Sequence, residues 1–186
     1  EGYRQRYGNI QRLDRLLEAE DDDVNRYKAS KQADVLMLFY LLSEPLLREL
    51  FARLGYEFDD EMIQRNVDHY LRRTSHGSTL SRIVHSWVLT RLDRERSWAF
   101  FEEALESDVS DIQGGTTAEG IHLGAMSGTV DLVQRAFAGV VARDGVLHFD
   151  PALPEQLGEL TFSLHFLGHR LAVRVTPEEL EVTTAP

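Results

Sequence analysis

The chain has no cysteine, only two tryptophans and three methionines, and its 20 lysines and arginines are outnumbered by 31 aspartates and glutamates. Without cysteine there is neither a disulfide framework nor a thiolate metal site, which suits a reducing compartment. A net charge of −11 leaves no basic face for neutralising phosphate backbones or anionic lipid, so neither nucleic acid nor a membrane surface is expected as a partner. Any anion must instead be held by local geometry. No apolar run reaches the length of a membrane span, and the polar first residues do not read as a signal peptide, so a cytoplasmic location is expected. What the chain does have is 186 residues, of which 42% are hydrophobic, enough to bury one core with a small second module.

Three polar stretches stand out: Lys31-Gln32-Ala33-Asp34, Thr74-Ser75-His76-Gly77-Ser78-Thr79-Leu80-Ser81 and Gln113-Gly114-Gly115-Thr116-Thr117-Ala118-Glu119. They recur about 40 residues apart, and each precedes an apolar helical pattern. The first-turn N–H groups of a helix have no partner within it, and its dipole is positive there, so such starts attract anions and sugar hydroxyls.

The apolar spacing predicts a helix from Lys31 to about Arg53, broken or kinked at Pro45. A second runs from Asp59 or Asp60 to Arg72 or Arg73, acidic at its start and basic at its end as the dipole prefers. A third begins near Ser78, a fourth spans about Glu95 to Ser107, and a fifth runs from about Thr117 to Gly139. Residues 1–28, with Asp21-Asp22-Asp23 and a short apolar segment around Leu13, Leu16 and Leu17, read as a connecting arm with at most a brief helix. After Gly139 the period changes from 3.6 to 2. Leu160 to Phe166 and Leu171 to Val175 alternate strictly around a Leu167-Gly168-His169 turn, which predicts a hairpin, and Val146 to Phe149 and Leu180 to Val182 are expected as flanking strands. A helix, a turn, a returning helix and another turn use roughly 40 residues, so alternate helices start at one end of the molecule. That geometry puts Lys31, His76 and Thr117 around one rim. The fold class is therefore mainly α, built from about two and a half helical hairpins, with a small C-terminal antiparallel sheet.

The stretches KQADVLML (Lys31 to Leu38), RTSHGSTLS (Arg73 to Ser81) and GGTTAEGIHLGAMSGTVDLVQRAF (Gly114 to Phe137), followed by a β tail, resemble the C-terminal third of glycoside hydrolase family 65, which includes maltose, trehalose, kojibiose and nigerose phosphorylases. The resemblance covers about residues 28 to 184. It implies that residues 29–142 are the last helices of an (α/α)6 barrel and residues 143–186 a C-terminal β domain. It also implies that the general-acid glutamate lies upstream, so that no catalytic residue is in this chain and the chain alone is inactive. Lys31 and Gln32, with Glu119, would contact the reacting glucosyl unit. Ser75, His76, Gly77 and Ser78, with His122, would hold phosphate. No metal and no cofactor are implied beyond inorganic phosphate as co-substrate. The implied partners are a disaccharide, the remainder of the parent enzyme and a second copy in a homodimer.

The chemistry follows from the residues themselves. Inverting cleavage of a glycosidic bond needs an acid for the leaving oxygen and a nucleophile on the opposite face. Water needs a carboxylate base to activate it, whereas phosphate is already anionic and needs only a cradle of N–H groups, hydroxyls and a cation. Ser75, His76, Gly77 and Ser78 hold that inventory: Gly77 lets the backbone come close, the serines donate hydroxyls, and His76 adds a charged or neutral donor. Each residue also has a plainer reading. Ser78 fits an ordinary N-cap with Ser81 in the first turn, Lys31 a solvated side chain, Asp34 a helix-start support, Thr116 and Glu119 a capping box, and His122 a satisfied core histidine. Trp87 and Trp98 read as core, Asp21-Asp22-Asp23 as a solvated loop, and His165 and His169, four apart across a hairpin, do not read as a metal pair. Three functions are consistent with the sequence. They are an inverting phosphorylase of an α-glucoside of trehalose, maltose or kojibiose type giving β-glucose 1-phosphate, a trehalase-type hydrolase, and a non-catalytic helical binding module.

Overall fold

The computed structural model describes residues 2–112 and 117–184. The chain forms two compact units, residues 1–129 and 130–186.

The first unit is helical. It begins with α1 (Gly2–Tyr7) and α2 (Leu13–Ala19), so the arm carries two short helices where one brief helix is expected. Leu13 and Leu17 are buried. Tyr3 stacks on Tyr7 with ring centroids 5.9 Å apart, and both hydroxyls donate to Glu20. The expected helix from Lys31 to Arg53 is two helices, α3 (Met37–Leu41) and α4 (Glu44–Arg53). Pro45 stands in the first turn of α4, the one place where its missing N–H costs nothing. Lys31 does not open a helix: residues 31–36 are bends and turns, and Asp34, instead of supporting the helix start, accepts a hydrogen bond from Gln32 Nε2 at 2.8 Å.

The next three helices are α5 (Asp60–Leu71), α6 (Thr79–Leu89) and α7 (Arg94–Glu106). α5 and α7 are closed by local caps: Asp59 accepts from the Met62 amide at 2.5 Å and Asp93 from the Arg96 amide at 3.0 Å. α6 and α7 form an antiparallel hairpin, because Arg82 bonds Glu103 while Ser86, one turn on, bonds Ser97, nearly two turns back. Ala33, Leu36, Val67, Leu71, Val84, Val88 and Leu89 make the core. Trp87 is part of that packing, as its spacing predicts: it meets Tyr40 edge to face at 5.2 Å, and its Nε1 donates to the Phe39 carbonyl at 3.2 Å.

The expected fifth helix is broken into pieces. A 3-10 turn, Thr117–Glu119, precedes α8 (Leu123–Asp131), which passes into a π-helical turn, Leu132–Phe137. Gly120, at φ +95°, cannot continue a right-handed helix, and this separates the first two pieces. α8 runs parallel to α6. A side chain on Gly124 would meet Leu80 and one on Gly128 would meet Ile83, and contacts that advance in the same direction mean that both helices start at the same end.

The second unit holds two antiparallel sheets. β1 (Val140–Arg143) pairs with β2 (Val146–Phe149). β3 (Leu160–Phe166), β4 (His169–Val175) and β5 (Leu180–Thr184) form the other. The hairpin and the last strand are where alternation places them. Val146 to Phe149 does not flank them; it joins β1, a strand the sequence reading misses because its four residues are too few to establish a period. Leu153, Val173 and Val175 form the buried centre of this unit.

Candidate functional site

The polar loop before α6 is tied to the segment before α3. The Ser75 and Gly77 amides each donate at 2.8 Å, to the Ser30 and Lys31 carbonyls, beside a parallel bridge of Ser30 with Thr74. Gly77 is required by space, not by its torsions. A Cβ there would lie 2.6 Å from the Gln11 carbonyl oxygen and 3.0 Å from Lys31 Cγ. The aliphatic stem of Lys31 therefore runs along the loop, and the arm closes it from the other side. Arg4 strengthens that contact by donating to the Thr74 carbonyl at 2.8 Å.

Ser78 occupies the N-cap position of α6 in extended backbone, yet its side chain makes no capping hydrogen bond. The amides of Ser78, Thr79 and Leu80 have no backbone acceptor among the described residues. The ordinary capping role that explains a serine at this position is thus not in use. What remains is a hydroxyl and, among the described residues, a set of amides without a backbone acceptor at the positive end of a helix.

His76 takes the left-handed conformation, φ +57°, and its ring turns inward. Nδ1 lies 3.0 Å from Ser81 Oγ, and the ring packs against His85 at 4.6 Å and Phe100 at 5.1 Å. Burial, then the neighbouring His85, Arg82 and Arg4, push its pKa down to about 3. The charged alternative for His76 is therefore closed, and the ring is neutral. His85, fully buried, donates from Nδ1 to the Ser81 carbonyl at 2.8 Å, and burial pushes its pKa down to about 4. Arg82, 1% exposed, is joined through Nε to Glu103 at 2.8 Å. It is a buried cation under the loop that the sequence reading passed over, because an arginine within an apolar helix face carries no periodic signal of its own.

The third polar stretch falls only partly within the described residues. Gln113, Gly114, Gly115 and Thr116 lie outside them, so the capping box of Thr116 with Glu119 does too; Glu119 ends the 3-10 turn, with its side chain also outside. Thr117 donates through its hydroxyl to Asp111 at 3.1 Å. His122 stands immediately before α8 and not one turn inside it. Its amide donates to Asp108 Oδ2 at 2.8 Å and its ring Nδ1 to Asp108 Oδ1 at 2.5 Å. The His122 hydrogen bond holds the Asp108 carboxyl below the usual carboxylate range. Asp108 is the second residue that sequence reasoning missed: it is remote in sequence from the motif it serves, in a stretch that reads as the end of a helix.

Of the residues expected at one rim, Lys31 and His76 are brought together, while Thr117 is held by Asp111. Lys31 and the loop of residues 75–78 share backbone hydrogen bonds, and α8, with His122 at its head, starts beside α6. Asn9, in the arm, reaches the Ile112 carbonyl at 3.5 Å, which draws the segment before His122 to the same side. Gln32 is turned to Asp34. Chemically, this corner offers neutral donors and a nearby ammonium, a set suited to an oxyanion and to hydroxyls.

Known proteins resemble the chain along nearly its whole length. The chain is 54% identical over 97% of its length to an uncharacterized glycosyl hydrolase of Mycobacterium tuberculosis, covering 14% of that protein. It is 39% identical over 98% of its length to the trehalose 6-phosphate phosphorylase of Lactococcus lactis, covering 24%, and 33% identical over 91% to the kojibiose phosphorylase of Escherichia coli, covering 21%. A solved structure from the human microbiome, named provisionally as a kojibiose phosphorylase, superposes with a TM-score of 0.65 at 25% identity, over 83% of this chain and 20% of that one. The chain therefore spans between about a seventh and a quarter of the length of these relatives. The helical hairpins followed by a β module are a partial (α/α)6 barrel with its C-terminal domain. The model of the glycosyl hydrolase family 65 central catalytic domain matches residues 1–131 and that of the family's C-terminal domain matches residues 140–186; the chain belongs to glycosyl hydrolase family 65.

Proposed function

We propose that this chain is the C-terminal part of the catalytic barrel, with the adjoining β domain, of an inverting disaccharide phosphorylase. The enzyme cleaves an α-glucoside of trehalose, maltose or kojibiose type with inorganic phosphate, releasing β-glucose 1-phosphate and glucose. The reading rests on one observation above others: Ser78 sits at a helix cap without capping, beside amides that have no backbone acceptor among the described residues. A hydrolase has no use for such a cradle, because its water must be activated by a carboxylate base; a phosphorylase needs the cradle and not the base. The Ser75 and Ser78 hydroxyls and the amides of Ser78, Thr79 and Leu80, with His122, hold the phosphate, and Gly77, whose own amide is taken by Lys31, lets the loop pack closely. His76 contributes by seating the loop. Lys31, Gln32 and Glu119 are the proposed contacts of the glucosyl unit. The acid that protonates the leaving oxygen comes from outside these 186 residues, so the chain alone is inactive. Two relatives named as phosphorylases, at 39% and 33% identity, support phosphate as the acceptor.

The test is an assay of the full-length enzyme on a panel of α-linked disaccharides, with and without phosphate, alongside Ser78→Ala. Glucose release that requires phosphate, with the KM for phosphate raised about tenfold in the variant, is the expected result, because one hydroxyl donor to an anion is lost. Release that proceeds equally well without phosphate assigns the site to hydrolysis instead.

A further inference from the structure

Within this phosphorylase reading, we infer that Asp108 is a positioning residue that fixes the orientation and tautomer of His122, so that the opposite ring nitrogen is presented to phosphate. The carboxylate holds His122 at two points. Oδ2 accepts from the backbone amide at 2.8 Å and Oδ1 from ring Nδ1 at 2.5 Å. A single contact to the amide would suffice to satisfy a helix-start donor. The second contact does something a cap does not: it fixes a ring proton on Nδ1, which in a neutral imidazole makes Nε2 the acceptor on the far side of the ring. The asymmetry of burial fits this division, since the Asp108 side chain is 7% exposed and that of His122 29% exposed. The anchor is inside and the working end faces outward.

The amides nearby make the ring necessary. At α8 the first-turn donors are mostly spent: His122 N goes to Asp108, Leu123 N to the Ile121 carbonyl, and both Ala125 N and Met126 N to the His122 carbonyl. The start of α8 therefore offers few backbone donors to an anion, in contrast to the start of α6 next to it. What α8 contributes is the side chain of His122. A lone pair on Nε2 accepts the P–OH hydrogen of a phosphate whose other oxygens lie against the open amides of α6, and this fixes which phosphate oxygen is bare and faces the sugar.

Asp108→Asn tests this, because the amide group keeps its size while changing what it asks of the ring. Its oxygen still accepts from the His122 amide, but its NH2 donates to Nδ1 and drives the ring proton to Nε2, as an analogous carboxylate-to-amide change does in serine proteases. In the full-length enzyme, Asp108→Asn is expected to raise the KM for phosphate about tenfold while the KM for the disaccharide stays within about twofold. Asp108→Glu, which restores a carboxylate, is expected to recover most of the loss. Nitrogen-15 shifts of the His122 ring should report an Nδ1–H tautomer in the natural protein and Nε2–H in Asp108→Asn, a readout that does not depend on turnover. An enzyme with intact phosphate dependence, in which Asp108→Asn leaves both KM values unchanged or moves them together, overturns this role for Asp108 and leaves the phosphorylase reading standing. A natural enzyme that ignores phosphate overturns both.

Discussion

α6 and α7 are the two arms of one hairpin, yet their N-termini are treated in opposite ways. Asp93 closes α7 from within, its carboxylate accepting from the Arg96 amide. Ser78 stands at the same position of α6 and leaves it open. Both residues are good N-caps by type. The difference lies in what surrounds them. The loop before α6 is pinned through its own backbone to Ser30 and Lys31 and through His76 to the seam between the two helices, so it holds its shape without the serine. A helix start that is rigid for other reasons can leave its donors to a ligand, and one that depends on its cap cannot.

The largest effect that breaks this contrast should come from Gly77→Ala. The new methyl would sit 2.6 Å from a backbone oxygen of Gln11, and backbone has little room to give. Displacing the loop is expected to cost about 2 kcal/mol of stability and roughly a hundredfold in kcat/KM for phosphate, measured by chemical unfolding and initial rates.

Acid should act next, and only on the α6 side. His85 is held neutral with its pKa pushed down to about 4, whereas in the unfolded chain it takes up a proton near pH 6.5. Stability is therefore whole above about pH 6.5, falls as the pH drops through that value, and levels off near the folded pKa. At pH 5 the loss from His85 is about 2 kcal/mol. Urea midpoints at pH 7 and pH 5 should diverge in the natural chain and converge by about that amount in His85→Leu; equal divergence in both would refute it.

Ser78→Ala and Asp93→Ala sharpen the contrast directly. Ser78→Ala should weaken phosphate binding about tenfold, near 1.4 kcal/mol, and leave the melting temperature unchanged, because no cap is lost. Asp93→Ala should do the reverse, lowering stability by about 1 kcal/mol with phosphate affinity untouched. If both variants lose stability equally, Ser78 is a cap after all.

The α5 and α7 spans and the start of α6 can be read from the chain to within a residue or two, because their apolar faces repeat with the helical period and Asp59 and Ser78 mark the starts of α5 and α6. The strands of the β3 and β4 hairpin were equally legible from strict alternation. Where the sequence reading failed, local signals were competing with distant ones. Lys31 looks like a helix start, but its carbonyl is engaged by Gly77, and the chain stays extended enough to meet it. The long helix expected from Thr117 is cut at Gly120 by a positive φ, which one glycine in a helical pattern does not announce.

By itself, the sequence determined the helical and strand periods, the family motifs and the inventory of anion-binding groups, since these depend on residue type and near neighbours. Only the tertiary structure decided which of those groups are free. Whether Ser78 caps, whether His76 carries charge and which way His122 faces are settled by Lys31, His85, Arg82 and Asp108, residues brought close by packing. Hydrogen-bond capacity is a property of a residue, and its availability is a property of what that residue is packed against.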